Sequence, residues 1–147
     1  MKYRAWQRKD NERIAVIEKN TFKSPWSTEM IDLTFDQPNF YGVVCEEDEI
    51  VVGYVGAIYD NWDGEILNIA VDENFRGKGI GEKLMQSVID FLTHNKKEKL
   101  FLEVRRSNLI AQSLYSKLGF TPIGIRKKYY ENTEDAIVME KVLFIDI

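Results

Sequence analysis

At 147 residues and 17.2 kDa the chain has the length of one domain, and its 44% hydrophobic and 30% charged residues exclude a disordered or fibrous protein. Twenty basic against twenty-four acidic side chains leave a net charge of −4, which repels phosphate backbones and excludes a generic nucleic-acid coat. Cys45 is the sole cysteine and His94 the sole histidine, so disulfide scaffolds, cysteine zinc cages and histidine-based triads fall together, and no metal site is expected.

The first element is a short strand, Tyr3 to Trp6, after which Asp10 caps a helix with Ile14, Ile17 and Phe22 on one face. A second helix starts at Ser27, whose hydroxyl can cap free N–H groups; Met30, Leu33 and Thr34 then continue the helical spacing up to Pro38. Phe40 to Cys45 and Ile50 to Tyr59 read as strands joined by the acidic turn Glu46-Glu47-Asp48-Glu49. The turn Asn61-Trp62-Asp63-Gly64 leads into Glu65 to Val71, a strand antiparallel to its predecessor. From Ile80 the stripe Leu84, Met85, Val88, Ile89 and Leu92 predicts a helix of about four turns. In the strand Leu100 to Arg105, one face carries Leu100, Leu102 and Val104, while Phe101, Glu103 and Arg105 face the other way. Strand, long helix and strand in that order require a parallel crossover, which sets Glu65 to Val71 beside Leu100 to Val104. A further helix carries Ile110, Ala111, Leu114, Tyr115 and Leu118, capped by Ser107 or Asn108 and stopped by Gly119. Strands over about Thr121 to Tyr129 and Ala136 to Phe144 complete a mixed sheet, giving an α+β fold with one central βαβ unit.

Chemistry concentrates in Asp72 to Gly81, between strand end and helix start of that crossover. Gly77, Gly79 and Gly81 let the backbone turn its N–H groups into one concavity, and the helix that follows adds unpaired amides and a positive dipole end. Arg76 and Lys78 add two cations in an acidic protein, so an anion is expected there. Glu82 stands where a dinucleotide fingerprint has its third glycine, and no G-x-x-x-x-G-K-[ST] occurs, which argues against Rossmann and P-loop readings. A tight αβ connection with no ligand is the plain alternative.

R-G-K-G-I-G at 76–81 matches the pattern [RQ]-x-x-G-x-[GA] with which GNAT acetyltransferases hold the pyrophosphate of acetyl-CoA. With Pro25-Trp26-Ser27, Asn68-Ile69-Ala70-Val71, Leu102-Glu103-Val104-Arg105, Ser107-Asn108, Leu114-Tyr115, Leu118-Gly119-Phe120, Tyr129-Tyr130 and Glu134 to Met139, the chain resembles the bacterial ribosomal-protein-alanine N-acetyltransferases of that family over most of its length. The resemblance implies one GNAT domain over residues 1–147, with about six to seven strands and about four helices. It departs from the family in a short Tyr130–Glu134 link that lacks a proline, and in the tail Phe144 to Ile147.

Taken alone, Glu103 reads as a solvent-face carboxylate paired across the sheet, Tyr115 as a packed core tyrosine and Asn108 as a helix cap. The resemblance implies more for each of them. Glu103 becomes the general base that takes a proton from the substrate ammonium, directly or through one water, and Tyr115 the general acid for the leaving thiolate. Asn108 gains a hydrogen bond to the cofactor, and the backbone of Ile69, Ala70 and Val71 pairs with the pantetheine arm, one N–H facing the oxyanion. Arg76, Gly77, Lys78, Gly79, Ile80 and Gly81 hold the pyrophosphate. Trp26, Tyr129 and Tyr130 become a peptide-binding wall, with core or lid packing as the plain alternative. Glu134, together with Glu131 and Asp135, gives that wall a negative charge complementary to a basic N-terminal segment. Cys45, His94, Trp6 and Trp62 are assigned to packing or surface.

The expected activity is transfer of acetyl from acetyl-CoA to the α-amino group of a protein N-terminus, alanine of small-subunit ribosomal protein number eighteen. An α-amine of pKa about 7.7–8.0 is partly neutral at pH 7, so one modest base suffices, whereas lysine at about 10.4 is almost wholly protonated. Acetylation of a lysine or small amine, and a non-catalytic CoA sensor, are the alternatives. The partner is a basic ribosomal protein, with no direct nucleic acid and no membrane. Apolar runs such as Ile50 to Val52 fall far below the roughly 20 residues of a membrane span, and MKYRAWQRKD has no apolar signal core, so a cytoplasmic protein is expected.

Overall fold

The computed structural model describes residues 1–143. Its seven strands are β1 (Lys2–Ala5), β2 (Phe40–Glu47), β3 (Ile50–Tyr59), β4 (Asp63–Val71), β5 (Lys99–Arg105), β6 (Thr121–Tyr130) and β7 (Glu134–Val142). Its helices are α1 (Asn11–Thr21), α2 (Thr28–Phe35), α3 (Ile80–His94) and α4 (Leu109–Lys117). The strands form one mixed sheet in the order β1-β2-β3-β4-β5-β7-β6. The expected architecture is present, and the parallel neighbours are β4 and β5. Phe144, the last residue of the expected final strand, and the tail lie outside the described residues.

One face of the sheet is covered by α3, whose Ile80, Leu84, Met85, Val88, Ile89 and Leu92 are all buried with Leu100, Leu102 and Val104 of β5. On a second cluster, Ile14 and Ile17 of α1 and Ile31 of α2 pack with Trp6, Val44, Val51, Tyr54 and Ala70. Leu84 is fully buried. Leu84→Ala is therefore expected to cost about 2–5 kcal/mol, measured by denaturant unfolding, and a loss below about 1 kcal/mol would contradict its place in the core.

Several local expectations shift. Only Asp48 and Glu49 make the β2–β3 turn, with φ of 51° and 66°, while Glu46 and Glu47 pair with Val51 and Ile50. Two positive φ values match the twist of a tight hairpin better than a four-residue acidic loop does. Asp10 holds the N-cap position of α1 but makes no side-chain cap bond to that helix. It closes a preceding 3-10 turn by accepting from the Gln7 N–H at 2.8 Å, and Arg4 binds the same carboxylate at 2.8 and 2.9 Å. Ser27 does cap α2, accepting from Met30 N–H at 3.2 Å, yet the buried residue is Ile31, and Met30 and Leu33 are exposed. A two-turn helix touches the core along a narrow line, so the stripe was displaced by one residue. Ile110, read as part of the α4 stripe, is 86% exposed, because it sits in the first turn, beyond the core that Tyr115 enters.

Two irregularities shape the site. β4 and β5 pair only over Asp63–Glu65 and Lys99–Phe101, then part, although β4 runs on to Val71 and β5 to Arg105. In β4, Leu67 is an extra residue opposite β3, since Ala57 pairs with Ile66 and Gly56 with Asn68. A bulge of this kind bends the strand and increases its twist, turning β4 away from its parallel neighbour.

Candidate active site

The end of β4 opens into the glycine turn. Gly77 and Gly79 adopt φ of 78° and 79°, the left-handed region, and among the described residues no atom beyond the chain neighbours lies within 4 Å of where a Cβ would sit on either. These glycines answer a backbone requirement, and the concavity they leave is open. Gly81 differs: it has an ordinary helical φ, and an added Cβ would make a normal 3.7 Å contact with Leu114. No side chain caps α3, and its first internal bond is from Lys83 N–H to Gly79 C=O at 3.2 Å, which leaves the amides of Ile80, Gly81 and Glu82 unpaired. The Ile80 side chain is buried, so only its backbone faces the turn. Arg76 donates from Nε to the Val71 carbonyl at 3.1 Å, folding its guanidinium over the strand end, and Lys78 Nζ lies 5.2 Å from the centre of the Phe75 ring. Open amides, a helix dipole and two cations fit a diphosphate.

Between the parted strands, Ile69, Ala70 and Val71 pair with β3 on one side and, among the described residues, have no strand on the other. Across the gap, Asn108 is the N-cap of α4, its Oδ1 accepting from Ala111 N–H at 3.1 Å. Tyr115, about two turns further on, is buried, stacked edge-on to Phe120 at 6.0 Å between ring centres. Burial alone pushes its hydroxyl up to about 12, with no hydrogen bond contributing. Among the described residues no fully buried side-chain polar atom lacks a partner, so this hydroxyl, for which no hydrogen bond is found there, keeps some exposure.

Glu103 projects from the opposite face of β5 to Leu102 and Val104 and retains 19% side-chain exposure. Arg126 Nη1 of β6 donates to its Oε1 at 2.6 Å, and that guanidinium lies 4.1 Å over the Tyr129 ring. The carboxylate is thus paired across the sheet, and a proton-taking role requires Arg126 to yield. Glu65 stands nearby; burial raises its carboxyl first, and the charge of Glu103 adds to that.

The aromatic wall is held from beneath by Arg105. Its guanidinium lies 4.3 Å over the Tyr130 ring, binds both oxygens of Glu131 at 2.6 Å and reaches Glu134 at 3.2 Å. Tyr130 is pushed up to about 12, by burial first and then by the charges of Glu103 and Tyr129. Tyr129 is half-exposed and meets Tyr130 edge-on at 5.0 Å. Trp26 is partly buried at the entry of α2.

The expected negative wall is not free to meet a cation. Glu134 accepts from Ser107 N–H at 2.9 Å and from Arg105; the hydrogen bonds from Ser107, and after them the Arg105 guanidinium, hold its carboxyl low. Glu131 is paired with Arg105, and Asp135 accepts from Lys128 N–H at 2.9 Å and pairs with Arg106. These carboxylates seat the β5–α4 turn and the β6–β7 turn. Sequence reasoning missed Arg105, Arg126 and Glu18. Arg105 alternates with Glu103 on one strand face, which was the available signal; nothing local marked the other two.

The GNAT acetyltransferase family matches residues 11–120, and the chain belongs to it. Members of this family are acetyltransferases that use acetyl-CoA. A Bacillus subtilis (strain 168) relative, provisionally named a ribosomal protein bS18-alanine N-acetyltransferase, is 38% identical over 132 residues, covering 88% of this chain and 87% of its own. The N-alpha-acetyltransferase RimI of Mycobacterium tuberculosis is 30% identical over 144 residues, covering 93% and 89%. The crystal structure of the ribosomal-protein-S18-alanine N-acetyltransferase from Escherichia coli superposes with a TM-score of 0.93 at 26% identity, over 99% of this chain and 96% of that one.

Proposed function

We propose that the chain works as a single domain that acetylates the α-amino group of a protein N-terminus, with alanine at the start of ribosomal protein bS18 as substrate. The observation that carries this reading is the gap between β4 and β5, which has Glu103 on one bank and leads to the uncapped start of α3. The names of the relatives favour an α-amine, and a ribosomal substrate implies work in the cytoplasm.

Bound acetyl-CoA supplies an acyl group activated by its sulfur. The amides of Ile80, Gly81 and Glu82, with Gly77 to Gly79 turned around them and Arg76 and Lys78 alongside, bind the diphosphate. Ile69 to Val71 take the pantetheine arm as an added strand, one N–H facing the acyl oxygen, and Asn108 bonds the arm from the other bank. Glu103 takes a proton from the incoming ammonium, directly or through one water, as Arg126, already stacked over Tyr129, releases its carboxylate. Tyr115 gives its proton to the departing sulfur. A hydroxyl raised to about 12 stays protonated below that value, so the alkaline side of the rate profile should show no fall from Tyr115 below about pH 10, and an earlier fall removed by Tyr115→Phe would contradict this. Trp26, Tyr129 and Tyr130 line the peptide, and Glu134 acts on them through Arg105.

Mass spectrometry of two hexapeptides separates the alternatives. One begins with free alanine; the other is blocked at its N-terminus and carries lysine. Acetylation of the first alone is expected. Acetylation of the blocked peptide alone would assign a lysine substrate, and CoA binding with neither peptide modified would indicate a sensor.

A further inference from the structure

Glu18, near the end of α1, is completely buried, and no cation pairs with it among the described residues. Three donors converge on it. Its Oε1 accepts from the Trp26 backbone N–H at 3.0 Å, and its Oε2 accepts from Asn68 Nδ2 at 2.7 Å and from the Tyr54 hydroxyl. A buried carboxylate is costly unless its oxygens are hydrogen-bonded, and here both are. The donors come from different halves of the site. Trp26 lies one residue before the cap of α2, on the peptide side. Asn68 follows the bulged Leu67 and precedes Ile69, whose N–H it accepts at 3.1 Å, on the cofactor side. An amide in place of the carboxylate has one accepting end and one donating end, so it can satisfy Trp26 or Asn68 but not both.

We propose that Glu18 is a positioning residue that locks the Trp26 segment to the cofactor strand, so that the peptide meets a preformed wall at a fixed distance from the thioester. This rests on the reading that Trp26 lines the peptide and Ile69 to Val71 the pantetheine arm. Once the lock is cut, ordering the Trp26 segment falls on peptide binding, which raises KM more than it lowers kcat.

The test is steady-state kinetics with an alanine-initiated hexapeptide at saturating acetyl-CoA, alongside calorimetry with CoA. Glu18→Gln is expected to raise the peptide KM about tenfold or more, while kcat and the CoA Kd stay within about threefold. Asn68→Ala cuts the same link from the other end, should raise KM similarly, and should add little to Glu18→Gln in the double variant. A merely structural Glu18 would lower the thermal midpoint and kcat with KM unchanged, and that result overturns the inference. If Glu18→Gln does not fold, Asn68→Ala decides alone, an unchanged KM counting against the lock. A wild-type enzyme that leaves the alanine peptide unmodified overturns the underlying reading and this inference with it; active wild type with unaltered KM in both variants overturns the inference alone.

Discussion

Glu103→Gln is expected to lower kcat/KM for an alanine-initiated peptide about 10²–10⁴-fold at pH 7, the usual contribution of a placed general base, without weakening acetyl-CoA binding. Glutamine keeps the shape of the side chain on β5 and can still accept from Arg126, so the strand and the wall above it stay in place. What is lost is the capacity to hold a proton. The substrate then has to reach its neutral form in bulk solvent, and the surviving rate should climb with pH until the amine itself titrates, near about 7.7–8.0. Wild-type rate at pH 7 in this variant, or a residual rate that ignores pH between 6 and 9, would remove Glu103 from the mechanism.

The second large effect is on the donor. Gly79→Asp should weaken CoA binding about 100-fold or more while leaving the fold intact. The left-handed φ of 79° is tolerated by aspartate better than by most residues, and the space beside it is open. A carboxylate at the start of α3 even favours the helix, by about 0.3–1 kcal/mol, which offsets part of the backbone strain. Against a diphosphate the same charge is repulsive, by about 4 kcal/mol for unit charges at 4 Å near a protein surface. Gly79→Asn separates charge from shape and should bind within about tenfold of wild type. Equal losses in the two variants, measured by calorimetry, would mean that the turn holds no anion.

These two positions were also the most legible in the sequence, for physical reasons. The stripe from Ile80 to Leu92 has no rival period, and the glycines before it have a local conformational cause, seen as positive φ at Gly77 and Gly79. Glu103 could be placed on a strand face because its neighbours alternate strictly. Long-range pairing was not legible. That β7 inserts between β5 and β6 follows from no local pattern, and it decides that Arg126 reaches Glu103 and Arg105 reaches Glu131. The acidic run at 131–135 read as a charged wall because Arg105, Arg106 and Ser107, which bind it, lie more than twenty residues away in the chain. Short helices misled for a related reason: with two turns in α2, Ile31 or Met30 fits the spacing equally well, and only packing on Trp6 and Tyr54 chooses between them.

A crystal structure of the chain with CoA tests the central claim most directly. The account predicts diphosphate oxygens accepting from the amides of Ile80 to Glu82, and an extended arm along Ile69 to Val71 that ends with its sulfur in reach of the Tyr115 hydroxyl. A diphosphate seated away from the glycine turn, or a sulfur outside the opening between β4 and β5, would contradict it.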